Sequence, residues 1–235
     1  MNESQISARP TVRACAIAIA ALATLNGCAA GVTEENARAG VRWDYAPDEL
    51  RIDIDSSTRL NEYRNTSHTL LLAIFQTGDA QALRNLADDP DQMRKALAGS
   101  AAEAGFIQTT RYVVAPSASV ALSIDRAQQA RYIGIVAGYY DADGPRAVRL
   151  FDVPLKVEKR GWFSPTYRAT PRTLELKLRL GAHSIVDAHE TFLNLPPPGS
   201  SAWTTLDSGA KLLTRSSDME RKIEFGDTPP PPHKH

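Results

Sequence analysis

The alternation between Leu174 and Leu180 constrains the fold more than any other feature of the sequence. Leucines occupy every second position of this segment, and the positions between them hold Glu175, Lys177 and Arg179. A period of two places the leucines on one face of a strand and the charged side chains on the other. The segment therefore predicts a β-strand with one face in a hydrophobic core and one face in water.

Strand patterns recur along much of the chain. Leu50, Ile52 and Ile54 alternate with charged residues. Further strand signals lie at 70–75, 112–114, 120–124 and 132–140, with shorter candidates at 148–153 and 156–158. A parallel α/β sheet would need a helix between successive strands, and most of these connections show no helical pattern. The spacing favours a β-sandwich of mostly antiparallel strands.

Residues 79–104 differ from the rest because their pattern is helical. Apolar residues recur there at helical spacing, at Leu83, Leu86, Met93 and Leu97. Asp89 followed by Pro90 interrupts the pattern, and this pair is typical of a helix N-cap and first helical position. The predicted fold class is therefore all-β, an antiparallel β-sandwich with a short insertion of two helices.

The beginning of the chain has the pattern of a secretory signal. Arg9 and Arg13 precede an apolar stretch that ends in Leu25-Asn26-Gly27-Cys28. The stretch is too short to span a bilayer, which needs ~20 apolar residues. Its ending resembles the lipobox of bacterial lipoproteins, in which the signal is removed and the cysteine carries covalent lipid. We therefore expect residues 1–27 to be a signal peptide and Cys28 to be lipidated; the alternative is an ordinary signal in which Cys28 is incidental.

Charge and cysteine content bear on nucleic-acid binding and on disulfide bonds. Removing residues 1–27 removes two arginines and one glutamate, which leaves 25 basic and 26 acidic residues and a net charge of −1. A balanced charge does not favour binding to nucleic acid, so we expect no nucleic-acid partner. The second cysteine, Cys15, lies within the signal, so the mature chain is expected to have no disulfide.

The sequence also suggests a division of the mature chain. Residues 28–40 are small and polar without periodicity, which indicates a flexible tether between lipid and domain. The strand patterns place the β-sandwich domain at 41–182. Residues 183–235 are interpreted as a C-terminal extension that ends in a partly disordered, proline-rich tail.

No segment carries a recognisable catalytic motif. His183, Asp187, His189 and Glu190 could gather around a metal ion, but His189-Glu190 lacks the second histidine of a zinc-protease helix, because position 193 is Leu. We interpret 183–190 as a solvated polar turn. The expectation is a protein with no catalytic residues, no metal site and no cofactor other than the lipid on Cys28.

Several segments together resemble the outer-membrane lipoproteins of bacterial type VI secretion systems, the TssJ family, also called SciN or VasD. The similar pieces are Leu60-Asn61, His68-Thr69-Leu70, Ile74-Phe75-Gln76, Asp125-Arg126-Ala127 and the run from Ala130 to Tyr140. With the lipobox, the resemblance covers roughly residues 13–158.

The resemblance implies a transthyretin-like sandwich on the periplasmic face of the outer membrane. It also implies binding to the periplasmic domain of the inner-membrane protein TssM, in a complex that includes TssL. The loop between the first two strands, about Ser56–Ser67, is the implied contact. Its candidate contact residues are Thr58, Arg59, Leu60, Asn61, Glu62 and Tyr63. The alternative is that Leu60 is a buried plug and Asn61 a turn former, with only their neighbours exposed.

Taken with the lipobox, the resemblance implies a lipid-anchored, non-enzymatic assembly protein that tethers TssM to the outer membrane. Two alternatives stay open. The chain could be another periplasmic lipoprotein that activates a cell-wall synthase or binds a small ligand. It could also be a metal-dependent hydrolase that uses the segment 183–190.

Overall fold

The computed structural model describes residues 31–99, 105–141 and 144–215. Helices lie at α1 (Glu34–Ala39), α2 (Ala80–Asp88), α3 (Pro90–Ala98) and α4 (Gly144–Ala147). Strands lie at β1 (Ala46–Ser56), β2 (Leu70–Thr77), β3 (Gln108–Val114), β4 (Ser119–Arg126), β5 (Tyr132–Ala137), β6 (Val148–Asp152), β7 (Leu155–Arg160), β8 (Thr166–Pro171), β9 (Leu174–Leu180), β10 (Ile185–Glu190), β11 (Thr204–Thr205) and β12 (Lys211–Thr214).

The strands form two main sheets and a separate hairpin. One sheet has six strands in the order β10-β9-β1-β4-β12-β11, and the other has four in the order β3-β2-β5-β6. Among the described residues, strands β7 and β8 form a separate antiparallel hairpin. Pairing in the main sheets is antiparallel except between β1 and β9. The predicted all-β sandwich is confirmed.

Alternation along β1 and β9 places their apolar residues between the sheets. Leu50 and Ile52 lie beside Leu174 and Leu176 in the parallel register, and all four side chains are almost wholly buried. Each such side chain contributes roughly 1.5–3 kcal/mol by leaving water. The residues that alternate with these apolar side chains face outward. There, charged side chains of β1 and β9 pair with each other, as Arg51 does with Glu175 and Asp55 with Lys177.

A buried glutamine connects the two sheets. Gln76, on β2 of the four-stranded sheet, donates from Nε2 to the carbonyl of Asp125 at 2.8 Å. Its Oε1 accepts a bond from the amide of Ala127 at 2.9 Å. Both partners lie at the end of β4 in the other sheet. These bonds satisfy the buried amide and fix the two sheets against each other at this end.

The predicted pair of helices is also confirmed. Asp89 has extended backbone geometry and accepts bonds from the amides of Asp91 and Gln92, so it caps α3 as the sequence indicates. Leu83 of α2 packs closely on Gly134 of β5; a Cβ placed at Gly134 would lie 2.4 Å from a methyl carbon of Leu83. The helices therefore pack on the four-stranded sheet at a point where a side chain larger than that of glycine would displace Leu83.

The tether prediction for residues 28–40 is wrong from residue 31 onward. Thr33 caps α1, whose Ala37 is buried, and α1 packs against β7 and β8. The carbonyl of Val32 accepts a bond from the amide of Tyr167 at 2.9 Å. Packing against the hairpin gives this polar segment a structure that its own sequence does not predict. Residues 1–30, which include the predicted signal and Cys28, lie outside the described ranges.

The predicted domain boundary at residue 182 is also wrong. Strand β10 pairs with β9 at one edge of the six-stranded sheet, and β12 pairs with β4 on the other side. The chain between them crosses the outer face of this sheet, where Leu195 and Trp203 pack with Ala121 and Leu213. The extension is therefore part of the sandwich as far as Arg215. The proline-rich tail falls in 216–235, outside the described residues.

The two ends of the sandwich carry different segments of the chain. At the first, Ala46 of β1 lies in one open cavity with Arg126 and with Ala169 of the hairpin β7–β8. At the other, Ser56 leads into the loop 57–69. We call these the hairpin end and the loop end. The ten steps between the first and last residues of β1, at about 3.3 Å each and shortened by the irregularity between Ala46 and Leu50, separate the two ends by about 30 Å.

Candidate functional site

The loop 57–69 at the loop end is anchored by its buried residues. Leu60 is fully buried, and Asn61 is buried with a left-handed backbone at φ 48°. Asn61 donates from Nδ2 to the carbonyl of Thr69 at 2.9 Å, and its Oδ1 accepts a bond from the amide of Tyr140 at 3.1 Å. Two residues expected to contact a partner are thus interior, as the alternative interpretation has it.

Backbone hydrogen bonds fix the loop to the neighbouring chain. The amide of Ser57 donates to the carbonyl of Leu180 at 2.8 Å, and the amide of Glu62 donates to the carbonyl of Ala182 at 2.9 Å. The amide of His68 donates to the carbonyl of Leu60 at 3.0 Å, which closes the loop on itself. A loop bonded in this way presents its exposed side chains in one fixed arrangement.

The tip of the loop is a tight two-residue turn. Tyr63 and Thr66 exchange backbone hydrogen bonds of 2.9 and 3.0 Å. Between them Arg64 and Asn65 have φ values of 51° and 61°. Positive φ at both central positions is the geometry of a type I′ turn. The turn leaves all four residues exposed at the loop end.

Aromatic side chains from two segments meet beside this turn. The rings of Tyr63 and Tyr140 stack with centroids 4.9 Å apart, and His68 meets Tyr140 edge-on at 5.3 Å. The Arg64 guanidinium lies 5.1 Å from the Tyr63 ring centroid. Tyr63 is 41% and Tyr140 57% exposed. We call Tyr63, His68 and Tyr140 the aromatic platform; ordered, exposed tyrosines of this kind are common in protein-binding surfaces.

An ion pair links Arg59 and Glu62 within the loop. Arg59 donates from Nη2 to Glu62 at 2.9 Å, with a second contact from its Nε. The bond from Arg59 lowers the pKa of Glu62, and His183 lowers this pKa further. The same bond raises the pKa of Arg59. The Arg59 side chain is 69% exposed and that of Glu62 only 10%, so the pair presents a cation to solvent.

The other predicted contact residue, Thr58, is exposed, and its carbonyl accepts a bond from the hydroxyl of Ser67 at 2.8 Å. The structure therefore brings Thr58, Arg59 and Tyr63 to the surface. It adds His68, which belongs to the same loop, and Tyr140, which lies about 70 residues farther along the sequence. The position of Tyr140 could not be predicted, because it depends on the bond between Asn61 and the chain after β5.

The segment 183–190 is mainly a strand, so its interpretation as a polar turn is wrong. Its polar groups pair locally: Asp187 lies 3.1 Å from Nδ1 of His189 and 3.9 Å from Nε of Arg179, and Glu190 pairs with Arg172. In the ranges that the structure describes, no three His, Cys, Asp or Glu residues are grouped to hold a metal. None of the described helices has the length and apolarity of a membrane span.

Comparison with solved structures gives matches among type VI secretion lipoproteins. The chain is 20% identical to TssJ1 of Pseudomonas aeruginosa, with a TM-score of 0.42, covering 64% of this chain and 98% of that one. It is 16% identical to Lip of Serratia marcescens, a membrane-bound component of the system, with a TM-score of 0.44, covering 63% of this chain and 98% of that one. Among curated proteins, no match is found.

The family model described as type VI secretion lipoprotein, VasD, EvfM, TssJ and VC_A0113 matches residues 48–183. These residues include both main sheets up to β9, the helical pair and the loop 57–69. The match covers more than half of the sequence. The chain therefore belongs to the type VI secretion lipoprotein family that includes TssJ and VasD.

Proposed function

We propose that this lipoprotein is a structural component that holds the periplasmic domain of TssM at the outer membrane, in a complex that includes TssL. Lipid on Cys28 supplies the membrane attachment, and the loop 57–69 with the aromatic platform supplies the protein contact. No catalysis and no cofactor beyond the lipid are required. Anchoring confines the domain to a thin layer and raises its effective concentration near a partner that reaches across the periplasm.

The separation of the two ends of the sandwich is the observation that supports this proposal best. The chain enters the described structure at Gly31, three residues after Cys28, and it contacts the hairpin there. The loop 57–69 lies at the opposite end, about 30 Å away along β1. A lipid attached near the hairpin end leaves the loop end directed away from the membrane, where a periplasmic partner can reach it.

Binding of TssM to full-length protein variants tests the loop. Tyr63→Ala and Tyr140→Ala each remove an exposed platform ring, and we expect each to weaken binding about tenfold. Phe192→Ala is the matched control, because Phe192 is 84% exposed but follows β10 beyond its Glu190 end, away from the loop. Titration of each variant with the TssM periplasmic domain measures the effect. Unchanged affinity in both tyrosine variants would move the contact to another surface.

Exchanging the charges of Arg59 and Glu62 tests whether Arg59 contacts TssM or only stabilises the loop through its ion pair with Glu62. Arg59→Glu places two carboxylates together and reverses the exposed charge. The double change Arg59→Glu with Glu62→Arg restores the pair but keeps the reversed charge at the exposed position. If Arg59 contacts TssM, both variants bind more weakly. Recovery of binding in the double variant would show that only the pair inside the loop matters.

A further inference from the structure

The hairpin β7–β8 carries the most exposed large apolar side chains of the described structure. Trp162 and Phe163, at its tip, are 91% and 97% exposed. Gly161 has φ 87°, and a Cβ there would lie 2.8 Å from the carbonyl oxygen of Ser164. The tip is therefore a glycine-dependent turn that directs two aromatic residues into solvent. Such exposure is unfavourable in water, which suggests that another apolar phase covers the tip.

The charge of the hairpin indicates which phase this is. Between residues 155 and 171 the chain has four basic side chains against the single carboxylate of Glu158, a net charge of +3. Lys159, Arg160 and Arg168 are exposed. Aromatic residues with flanking lysine and arginine are typical of segments that enter the interface of an anionic membrane.

The position of the hairpin brings it close to the lipid anchor. A Cβ at Gly31 would lie 2.4 Å from the carbonyl oxygen of Pro165, so the chain touches the hairpin beside its tip. Val32 bonds to Tyr167 on the same hairpin. Three peptide units separate Gly31 from Cys28 and can span at most about 11 Å. A lipidated Cys28 is thereby restricted to the neighbourhood of Trp162 and Phe163.

We propose that the tip of the hairpin β7–β8 inserts Trp162 and Phe163 into the membrane interface beside the lipid on Cys28. The surrounding cations attract anionic headgroups. The insertion gives the domain a second attachment, which limits its rotation about the lipid and keeps the loop end directed outward. This inference rests on the anchored position in the proposed function, but not on TssM binding.

Tryptophan fluorescence tests the insertion directly. The chain has three tryptophans, and Trp43 and Trp203 are buried at 9% and 8% exposure. Trp162 is therefore the one that solvent and lipid can reach. Full-length lipidated protein is reconstituted in phosphatidylethanolamine and phosphatidylglycerol vesicles with brominated acyl chains, which quench tryptophan on contact. We expect quenching of Trp162 and its protection from aqueous acrylamide. Trp162→Phe measures the background of the two buried rings.

Variants that keep Trp162 show what holds it at the membrane. Phe163→Ser, and Lys159, Arg160 and Arg168 each changed to Gln, should reduce quenching and restore acrylamide access. Val186→Ser, which removes an exposed apolar side chain at the loop end of β10, should change neither. Raising salt to about 1 M, where charges are screened beyond ~3 Å, should weaken insertion in the native chain.

Flotation of the same vesicles reports the anchor separately. Flotation with quenching supports the insertion. Flotation with Trp162 open to acrylamide overturns the insertion and leaves the anchor intact. Protection from acrylamide without quenching by lipid would show that protein covers the tip, which also contradicts the proposal. If the protein does not float with the vesicles, both the lipid anchor on Cys28 and the membrane position of the hairpin are contradicted. TssM titration stays an independent measurement, because its contacts lie at the loop end.

Discussion

Asn61 shows how one buried residue determines the position of an exposed surface. Its side chain connects the start of β2 to the chain that carries Tyr140, and its backbone is left-handed. Asparagine tolerates this conformation better than most residues. The aromatic platform depends on both properties, because the stack of Tyr63 on Tyr140 requires the two segments to stay together.

Replacement of Asn61 should therefore destabilise the fold and the platform. Asn61→Ala leaves the carbonyl of Thr69 and the amide of Tyr140 without their partner and adds backbone strain, so we expect a loss of about 2–4 kcal/mol. Asn61→Gly loses the same bonds without the strain and should be about 1 kcal/mol more stable than the alanine variant. Urea unfolding measures both. Variants within 0.5 kcal/mol of the native protein would contradict this role.

Asp53 gives the sandwich a pH dependence. Burial raises the pKa of Asp53 to about 6, although Arg215 opposes the shift. Its folded pKa exceeds the value in the unfolded chain, so the native state binds the proton more tightly. The stabilisation is complete below about pH 4 and is lost as the pH rises through about 6.

We expect Asp53→Asn to remove this dependence. Between pH 4 and pH 7 the native protein should lose on the order of 1–2 kcal/mol relative to the variant, after allowance for the partial exposure of the pair. Urea unfolding at both pH values, with Asp207→Asn at an exposed position as the control, measures the difference. Parallel pH profiles for native and Asp53→Asn proteins would refute the assignment.

At the scale of elements, the alternation of apolar and polar residues predicted the strands that have one face in the core. Strand β9 has the predicted bounds, and the leucines of its predicted apolar face are buried. The predicted junction of α2 and α3 at Asp89 is also confirmed. These elements could be found because period and capping are local properties of the chain.

Elements that depend on distant partners could not be found in this way. Strand β8 contains Arg168, Thr170 and Pro171, and it is ordered by pairing with β7. The short strand β12 forms because it pairs with β4. Helix α1 is six residues long and is too short to form without the hairpin beside it. The tether and boundary errors both arise from this dependence on tertiary packing.

Trp203 tests whether the C-terminal segment is part of the domain. It is buried against Ala121 and Leu213, and its Nε1 donates to the carbonyl of Pro196 at 3.1 Å. We expect Trp203→Ala to cost about 3–5 kcal/mol, as for other buried aromatic residues. Trp203→Phe keeps most of the packing and should cost about 1 kcal/mol for the lost bond. A loss below 1 kcal/mol in the alanine variant, by urea unfolding, would make this segment dispensable.

At the scale of the whole molecule, the packing of residues 31–40 on the hairpin determines how the domain is oriented on the membrane. A tether of that length would let the domain tumble freely, and the direction of the loop would then be undefined. With α1 packed on the hairpin, only the residues before Gly31 are left as a link to Cys28. The domain is instead expected to stand on its hairpin end, with the loop 57–69 about 30 Å farther from the lipid.

Energy transfer to the membrane surface tests this two-ended arrangement most directly. A donor fluorophore is attached at Ser164→Cys or at Thr66→Cys in full-length lipidated protein, with acceptors on the lipid headgroups; Cys28 is blocked by its lipid. We predict strong transfer from position 164 and weak transfer from position 66, which should lie farther from the membrane surface by at least the length of β1, about 30 Å. Equal distances, or a donor at position 66 nearer the membrane, would contradict the account.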